Sequence, residues 1–408
     1  MALTKLDISM LEDVSGANNL VKLDTNAKIP ATSGAGLSVK PGPFTSSSDP
    51  AIDSNKALGT EWLNKTSGNM FICTDATAGA NVWTNVGAGT GNIQPHSFQG
   101  SNYGISYGGY AHPSAARTNQ VDRTSFTTDG NATDVGDMTI GRDTWSGHSS
   151  PTHGYACGGY SPGNYSPNTG NTIDRLSFAS AGAMVDVGDM TRSKRLLGGV
   201  SSATYGYICG GHTAANDPSG PATNYNEIER FQFAASSNGV DVGDLLSLLG
   251  NAAGHSDQEN AYGYVSSGSP NTNVIQRFAM ASSGNSTDVG DLTVSWGERA
   301  GNSSLTHGYT TGKAETATSS NAIDKFAFAA SSNSTDIGDM PQQLHESCGC
   351  SSTTNGYTMG GGRQGQGGAY GQGSDHIFKF SFTTDGNGTD IGNLSGQIGY
   401  LGRNGSQY

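Results

Sequence analysis

The chain of 408 residues carries a formal charge of −13, with 61 glycines, 13% charged residues and 34% hydrophobic residues. The acidic balance argues against non-specific nucleic-acid binding, and the missing Gly-X-Y period excludes collagen. Five cysteines are too few for a disulfide scaffold, and no run reaches the length of a membrane span.

The start, Met-Ala-Leu-Thr-Lys-Leu-Asp, has no apolar core followed by a small-residue cleavage site. The expectation is therefore synthesis in a cytoplasm without a secretory signal and no membrane insertion. Leu3, Leu6, Ile8 and Leu11 allow one or two helical turns, but Ser15 to Pro50 is rich in Gly, Ser, Pro and Thr. Residues 1–56 thus read as an extended attachment and oligomerisation arm, ordered by another copy or a docking partner. Residues 57–88 differ. Leu58 to Asn64, Met70 to Cys73 and Val82 to Val86 read as a small three-stranded antiparallel module whose Trp62 and Trp83 pack on each other or on a symmetry mate. Residues 89–95 are a linker by composition.

From 96 to 408 one phrase recurs. Its Asp-Val/Ile-Gly element stands at Asp134, Asp186, Asp241, Asp288, Asp336 and Asp390, at intervals of 52, 55, 47, 48 and 54 residues. Within each repeat the apolar residues alternate with period two, as in Ile228-Glu229-Arg230-Phe231-Gln232-Phe233. Glycines such as Gly108-Gly109, Gly158-Gly159, Gly210-Gly211 and Gly360-Gly361-Gly362 follow the first of these strands. They imply a bend or a close approach that a side chain would block. About fifty residues per repeat allow four strands and a long loop, the content of a propeller blade. Segments such as Gly147-His148-Ser149-Ser150-Pro151-Thr152 read as turns, and the closing segment to Tyr408 reads as the strand that completes the blade beginning near Tyr103. The fold class expected is all-β: a six-bladed β-propeller with a small N-terminal β module and an extended arm. A seventh, degenerate blade from residues 57–95 stays open as an alternative.

The strand order, with its glycine doublet and apolar–x–aromatic strand, resembles the kelch repeat over about residues 100–408. It departs where kelch blades carry tryptophan in the closing strand and this chain has Asp-Val-Gly-Asp. The kelch-like scaffold implies a shape more than an activity. The stretch Trp62-Leu63-Asn64 through Met70-Phe71-Ile72 to Val82-Trp83 is similar to small modules of tail-fibre and other virion structural proteins of marine bacteriophages. That resemblance implies a homotrimer attached by its N-terminal part, with residues 1–90 contacting other virion proteins and a distal domain contacting the host.

One basic residue recurs in each repeat: Arg123, Arg175, Arg230, Arg277, Lys325 and Lys379. Their regularity predicts repeated ion pairs with the acids of Asp-Val-Gly-Asp, against the alternative of a cationic ring around a central channel. The six aspartates read as turn caps, against a calcium alternative that lacks a third carboxylate. Cys348-Gly349-Cys350 reads as two strand residues on one side, since no further ligands complete a metal site. No catalytic constellation converges, several histidines fall at repeat-equivalent turn positions and none pairs with a Cys or Ser motif, and neither cofactor nor metal is expected. The loops Tyr110 to Gln120, Tyr160 to Thr172, His212 to Asn226 and Arg363 to His376 are the functional candidates, with Tyr110, Tyr160, Tyr165, His212, Tyr225 and Tyr370 suited to stacking on and bonding to a glycan. The function expected is a non-enzymatic bacteriophage virion component, a tail fibre or spike whose propeller binds a host-surface glycan or protein. A decoration or joint protein and a polysaccharide depolymerase are the alternatives.

Overall fold

The computed structural model describes residues 42–86, 97–161, 170–213, 223–312, 321–364 and 370–408, without the side chains of 363–364 and 370–372. The turns expected near Leu3 to Leu11 lie outside the described residues. Among the described residues there is no helix, and so none long and apolar enough to cross a membrane. Two compact units meet in sequence between Pro95 and His96.

In the first unit Glu61–Asn64, Met70–Asp75 and Val82–Asn85 pair antiparallel, as the alternation predicts. Phe44–Ser46, expected within the extended arm, instead adds a fourth strand in parallel to Glu61–Asn64. Its register is held by Phe44, whose ring lies 4.4 Å from that of Trp62. Trp62 and Trp83 meet edge to face at 5.6 Å, and their indole N–H groups donate to the carbonyls of Ser48 and Ala51. With both polar handles satisfied, the two indoles form a core together with Phe71 and Cys73.

The second unit is a propeller-like set of antiparallel sheets. Four of them have four strands each, beginning at Ser146–Ser149, Gly198–Ser201, Ala253–Asp257 and Ala300–Ser303. Two further four-strand sets, one starting at Cys348–Ser351 and one at Ser406–Gln407, merge where Ile398 and Gly399 pair with Ala111 and Tyr110. The segments Gly147 to Ser149 and Gly301 to Ser303, expected as turns, are thus the first strands of their sheets. Tyr110 to Gln120, expected as a loop, is a continuing hairpin: Tyr103–Ala111 pairs with Ala116–Ser125 along its length. The tips of the other three candidate loops fall on residues outside the described ones.

Neighbouring sheets are wedged together by aromatic side chains. Tyr155 stacks on Phe233 at 4.7 Å, Tyr264 on Phe328 at 4.9 Å and Tyr309 on Phe382 at 4.6 Å, each across to the following sheet. The buried hydroxyls of Tyr155, Tyr207 and Tyr264 donate to the carbonyls of Phe233, Met280 and Phe328. Apolar burial therefore leaves no cost of an unmet polar group at these hydroxyls.

The ionic pattern differs from the expected one. The six aspartates of Asp-Val/Ile-Gly each accept the N–H of the glycine two residues on, at 3.1 to 3.2 Å, which is turn capping. Their expected cationic partners look elsewhere. Arg123, Arg230 and Arg277 lie over the rings of Tyr103, Tyr205 and Tyr262, within 4.4 to 4.7 Å. Lys325 and Lys379 reach Asp385 and Asp129, and Arg175 borders His153 and Tyr155. The dominant ion pairs are buried ones that the repeat count overlooked: Arg142 with Asp174 at 3.0 Å, Lys194 with Glu229 at 2.5 Å and Arg299 with Asp324 at 2.6 Å. Each carboxylate also accepts a backbone N–H from just past the preceding sheet, at Thr139, Thr191 and Thr293. Removing one member would strand a desolvated charge, at a cost of about 3–5 kcal/mol.

At the outer edge an asparagine side chain accepts a backbone N–H of the preceding sheet: Asn238 from Asp189, Asn285 from Asp244, Asn333 from Asp291, Asn387 from Asp339 and Asn131 from Asn393. At the remaining junction the equivalent position holds Ala183. Ala183→Asn should supply the missing bond and raise stability by about 0.5–1.5 kcal/mol. A urea midpoint that stays put or falls would refute the assignment.

Candidate functional site

The first strands converge on an axis, and the approach there is too close for a side chain. A Cβ on Gly199 would lie 2.5 Å from the Gly147 carbonyl oxygen, one on Gly254 2.1 Å from Gly199, one on Gly301 2.3 Å from Gly254 and one on Gly349 2.2 Å from Gly301. Two residues beyond each glycine a side-chain oxygen accepts the backbone N–H of its neighbour. Ser201 accepts from Ser149, Ser256 from Ser201, Ser303 from Ser256 and Ser351 from Ser303. Gln407 accepts from Ser351, and the Gln407 N–H returns to the hydroxyl of Ser149.

A second hydrogen-bonded circuit forms a collar three residues before the glycines. Leu196 donates its N–H to the Thr144 carbonyl, Asn251 to Leu196, Glu298 to Asn251, Glu346 to Glu298 and Leu401 to Glu346, while Thr144 donates to Tyr400. Thr144, Leu196, Asn251, Glu298, Glu346 and Tyr400 all have φ between 53° and 64°, a left-handed conformation that side chains with a Cβ rarely adopt. Strain of this kind persists where surrounding structure over-determines it, and it clusters at sites of function.

Between the two circuits the axis is filled. From the collar to the axial glycine there are three residues in five cases, but five from Tyr400 to Gly405. The two extra residues are Arg403 and Asn404. The Asn404 side chain accepts the N–H groups of Gly199 and Gly254 and donates to the carbonyls of Gly254 and Gly301. Arg403, buried above it, donates to Leu401, Asn251 and Glu346. At the other end Gln99 donates to the Ser303 carbonyl and Gly100 to that of Ser351. The alternative of a ring of cations around an open channel is thereby overturned: the recurring basic residues lie outward and the axis holds the chain itself.

The collar opens into a cavity of about 660 Å³ lined by Tyr110, Arg117, Asp143, Arg195, Glu298 and Tyr400, with His112, Asn251 and Glu346 also facing it. Tyr110 meets Tyr400 edge to face at 5.5 Å and His112 at 4.9 Å, so one wall is aromatic. Arg117 bonds Asp143 at 2.7 Å and lies over the rings of Tyr110 and Tyr160 at 4.8 and 4.7 Å. Arg195 lies over the same Tyr160 ring at 5.2 Å. Burial pushes the Asp143 carboxyl up against the opposing pull of Arg117, and burial pushes Glu346 up against that of Arg403. Burial next to Glu346, Glu298 and Asp143 raises the Tyr400 phenol to about 12, so it stays a neutral hydrogen-bonding group. No group of three or more potential metal ligands occurs among the described residues.

Of the six residues expected to bind a glycan, Tyr110 lines this cavity and Tyr160 supports its two arginines. His212 exchanges backbone hydrogen bonds with Arg195. Tyr225 stands apart, under Arg192 at 4.7 Å. Tyr165 and the Tyr370 side chain lie outside what the structure describes. Arg117, Asp143, Arg195, Asn251, Glu298, Glu346, Tyr400 and Arg403 were not singled out from sequence. The signal available for the collar was its fixed offset from the axial glycines.

Sequence comparison identifies little: no family model matches this chain, and no curated protein matches it. Strand pairing and site together define an all-β protein of propeller-like build with a polar cavity at the mouth of its axis. Among solved structures it is similar to one titled "Structure of YjhT", at a TM-score of 0.52 and 11% identity, over 64% of this chain and 87% of that one. At that identity the likeness concerns the fold.

Two histidines expected at turns instead sit in the first strands, fully buried. His148 bonds Ser146 and the Val200 carbonyl, and His255 bonds Ser266 and the Asn302 carbonyl. Burial lowers both to about 4. Unfolded histidine titrates near 6.5, so the unfolded chain takes up the extra protons as pH falls. The stability both supply is present in full above about pH 6.5 and is lost progressively toward pH 4. The chain places Asn302 at the position equivalent to these histidines. The double variant His148→Asn/His255→Asn should flatten the fall in urea midpoint between pH 6.5 and pH 4, and an unchanged slope would contradict this account.

Proposed function

We propose that residues 96–408 form a six-bladed kelch-like propeller closed by Ser406–Gln407, and that its axial mouth is a carbohydrate-binding site. The closure reading is supported by the pairing of Ser406 with Ile105 and by the circuit through Gln407. The single observation that carries the binding reading is the cavity itself. It joins aromatic faces at Tyr110 and Tyr400 to fixed polar groups at Asn251, Glu298 and Arg195. Its volume lies within the usual range for small-molecule sites, ~300–1,000 Å³. Aromatic faces stack on sugar rings while polar groups bond their hydroxyls, and a collar that is hydrogen-bonded all round presents them with little ordering cost.

The further reading, in which the chain is a virion component attaching to a host-surface glycan, is supported by the resemblance of the N-terminal segment to tail-fibre modules. In that reading the protein is a homotrimer and residues 1–90 join it to other virion proteins. A solution mass about three times that of the single chain is expected, falling to a monomer when residues 1–90 are removed. A monomeric full-length chain would overturn the trimer.

The depolymerase alternative has one specific observation in its favour. Glu346 and Glu298 stand on adjacent collar positions, and burial favours the protonated form of Glu346. General-acid catalysis uses such a pair. Against it, Arg403 and His345 hold Glu346 from below. A single experiment separates the readings: the intact protein is applied to an array of bacterial surface glycans and the glycans are sized afterwards. Binding without shortening is expected, weakened at least tenfold by Tyr110→Ala or Tyr400→Ala and unaffected by Tyr225→Ala. Shortened glycans would establish the enzyme, and binding indifferent to both cavity variants would dismiss the site.

A further inference from the structure

We propose that Asn238 and Asn387 are sites of spontaneous deamidation, and that the clamp each forms with the preceding sheet sets how fast the reaction runs. The co-reactant is water, and nothing in the inference depends on a ligand of the cavity. Asparagine followed by glycine is the pair most open to this chemistry, because no side chain shields the next backbone nitrogen. Such pairs stand at Asn238, Asn355, Asn387 and Asn404. The glycine nitrogen, once it has lost its proton, attacks the asparagine Cγ. A new C–N bond closes a five-membered succinimide, and ammonia leaves. Water then opens the ring at either carbonyl, giving aspartate or, with the chain rerouted through the side chain, isoaspartate.

Asn238 and Asn387 are exposed, so water reaches both, yet both reacting groups of each are engaged with the sheet before. The Asn238 side-chain oxygen accepts the Asp189 N–H at 3.0 Å, and the Gly239 N–H donates to the Asp189 carbonyl at 2.7 Å. Asn387 and Gly388 hold Asp339 in the same way, at 3.0 and 2.8 Å. The side chain and the nitrogen it would react with thus face a third residue rather than each other. Attack requires both hydrogen bonds to break, and taking the proton from Gly239 would strand the Asp189 carbonyl. At the first site the fold itself demands the glycine. A Cβ there would lie 2.8 Å from Glu229 Oε2, and that carboxylate is pinned by Lys194 and the Thr191 N–H. At the clamps of Asn131, Asn285 and Asn333 the next residue is Ala132, Ser286 or Ser334, whose side chain hinders the attack. A liability that packing imposes is thus guarded by the contact between sheets. Opening of that contact is a local event, and it releases both groups at once. Isoaspartate lengthens the backbone by one methylene, so Gly239 no longer meets Asp189 and the clamp does not re-form. Each of the two junctions therefore keeps a one-way record of its own opening. Asn404 differs: it is buried on the axis, its side chain bonds Gly199, Gly254 and Gly301, and the Gly405 N–H donates to the Gly349 carbonyl.

The test incubates the full chain in mildly alkaline buffer and follows aspartate and isoaspartate at each site by peptide mapping. In the folded chain Asn238 and Asn387 should react at least tenfold more slowly than in the chain unfolded by urea. Urea below the unfolding transition should accelerate both and leave Asn404 unchanged. Lys194→Gln, which loosens the junction beside Gly239, should speed the reaction at Asn238 severalfold and leave Asn387 as it was. If that variant fails to fold, the urea series on the unmodified chain decides. Folded rates equal to the unfolded ones would overturn the guarding role of the clamps. Acceleration of Asn404 in step with the other two, or a Lys194→Gln chain in which Asn238 and Asn387 change alike, would overturn control by the local junction.

Discussion

The space around the axis is too small for a Cβ. Every other arrangement in the second unit answers to that constraint. The glycine in each first strand lets its backbone press against the carbonyl of the neighbour, with clearances that a methyl group would close to between 2.1 and 2.5 Å. Once the backbones are that close, the serine two residues on comes within reach of the next N–H, and side chains complete a circuit that backbone pairing alone leaves open. Buried N–H groups must be met by something, and here they are met by a hydroxyl or amide from the adjoining sheet. Aromatic wedges, buried ion pairs and the outer asparagines then act on sheets whose spacing the axis has already set.

The cavity is a by-product of the same geometry. Strands that converge so tightly at the glycines must splay on either side of them, and the left-handed residues of the collar mark where the chain turns inward. Two additional residues, Arg403 and Asn404, stop the opening from running through the molecule. They convert a passage into a blind site with a charged floor. Their hydrogen bonds reach four different repeats, so the floor is as rigid as the sheets that carry it.

Much of the fold was legible because it was repeated. Period-two runs such as Ile228 to Phe233 and the returning Asp-Val/Ile-Gly both report local backbone geometry, which a sequence states directly. The turn-capping role of Asp186 and its equivalents followed from the same local chemistry. Regularity is a poor guide to the ion pairs: Arg123 and Arg277 recur on schedule yet lie over tyrosines, while Arg142 and Arg299, at unmatched offsets, hold the buried acids. The site was harder still. Thr144, Leu196, Asn251, Glu298, Glu346 and Tyr400 share a backbone conformation and no residue type, so composition could not group them. Tyr110 is legible by its chemistry but not by its place, since the doublet Gly108-Gly109 reads as the end of a strand that continues through it to Ala111.

The hydroxyl of Tyr107 meets that of Ser406 across 299 residues of chain, and Ser406 itself pairs with Ile105. During synthesis the edge of Tyr103–Ala111 that receives this strand is made long before its partner exists. At about 5–20 residues per second the wait is roughly 15–60 s. An exposed strand edge is a template for pairing with other chains, and nascent copies on one message are close neighbours. The segment that seals the axis is therefore also the one that fixes when the domain becomes safe from its own copies. A cell making this protein has reason to shield one particular strand, and only until Ser406 and Gln407 emerge.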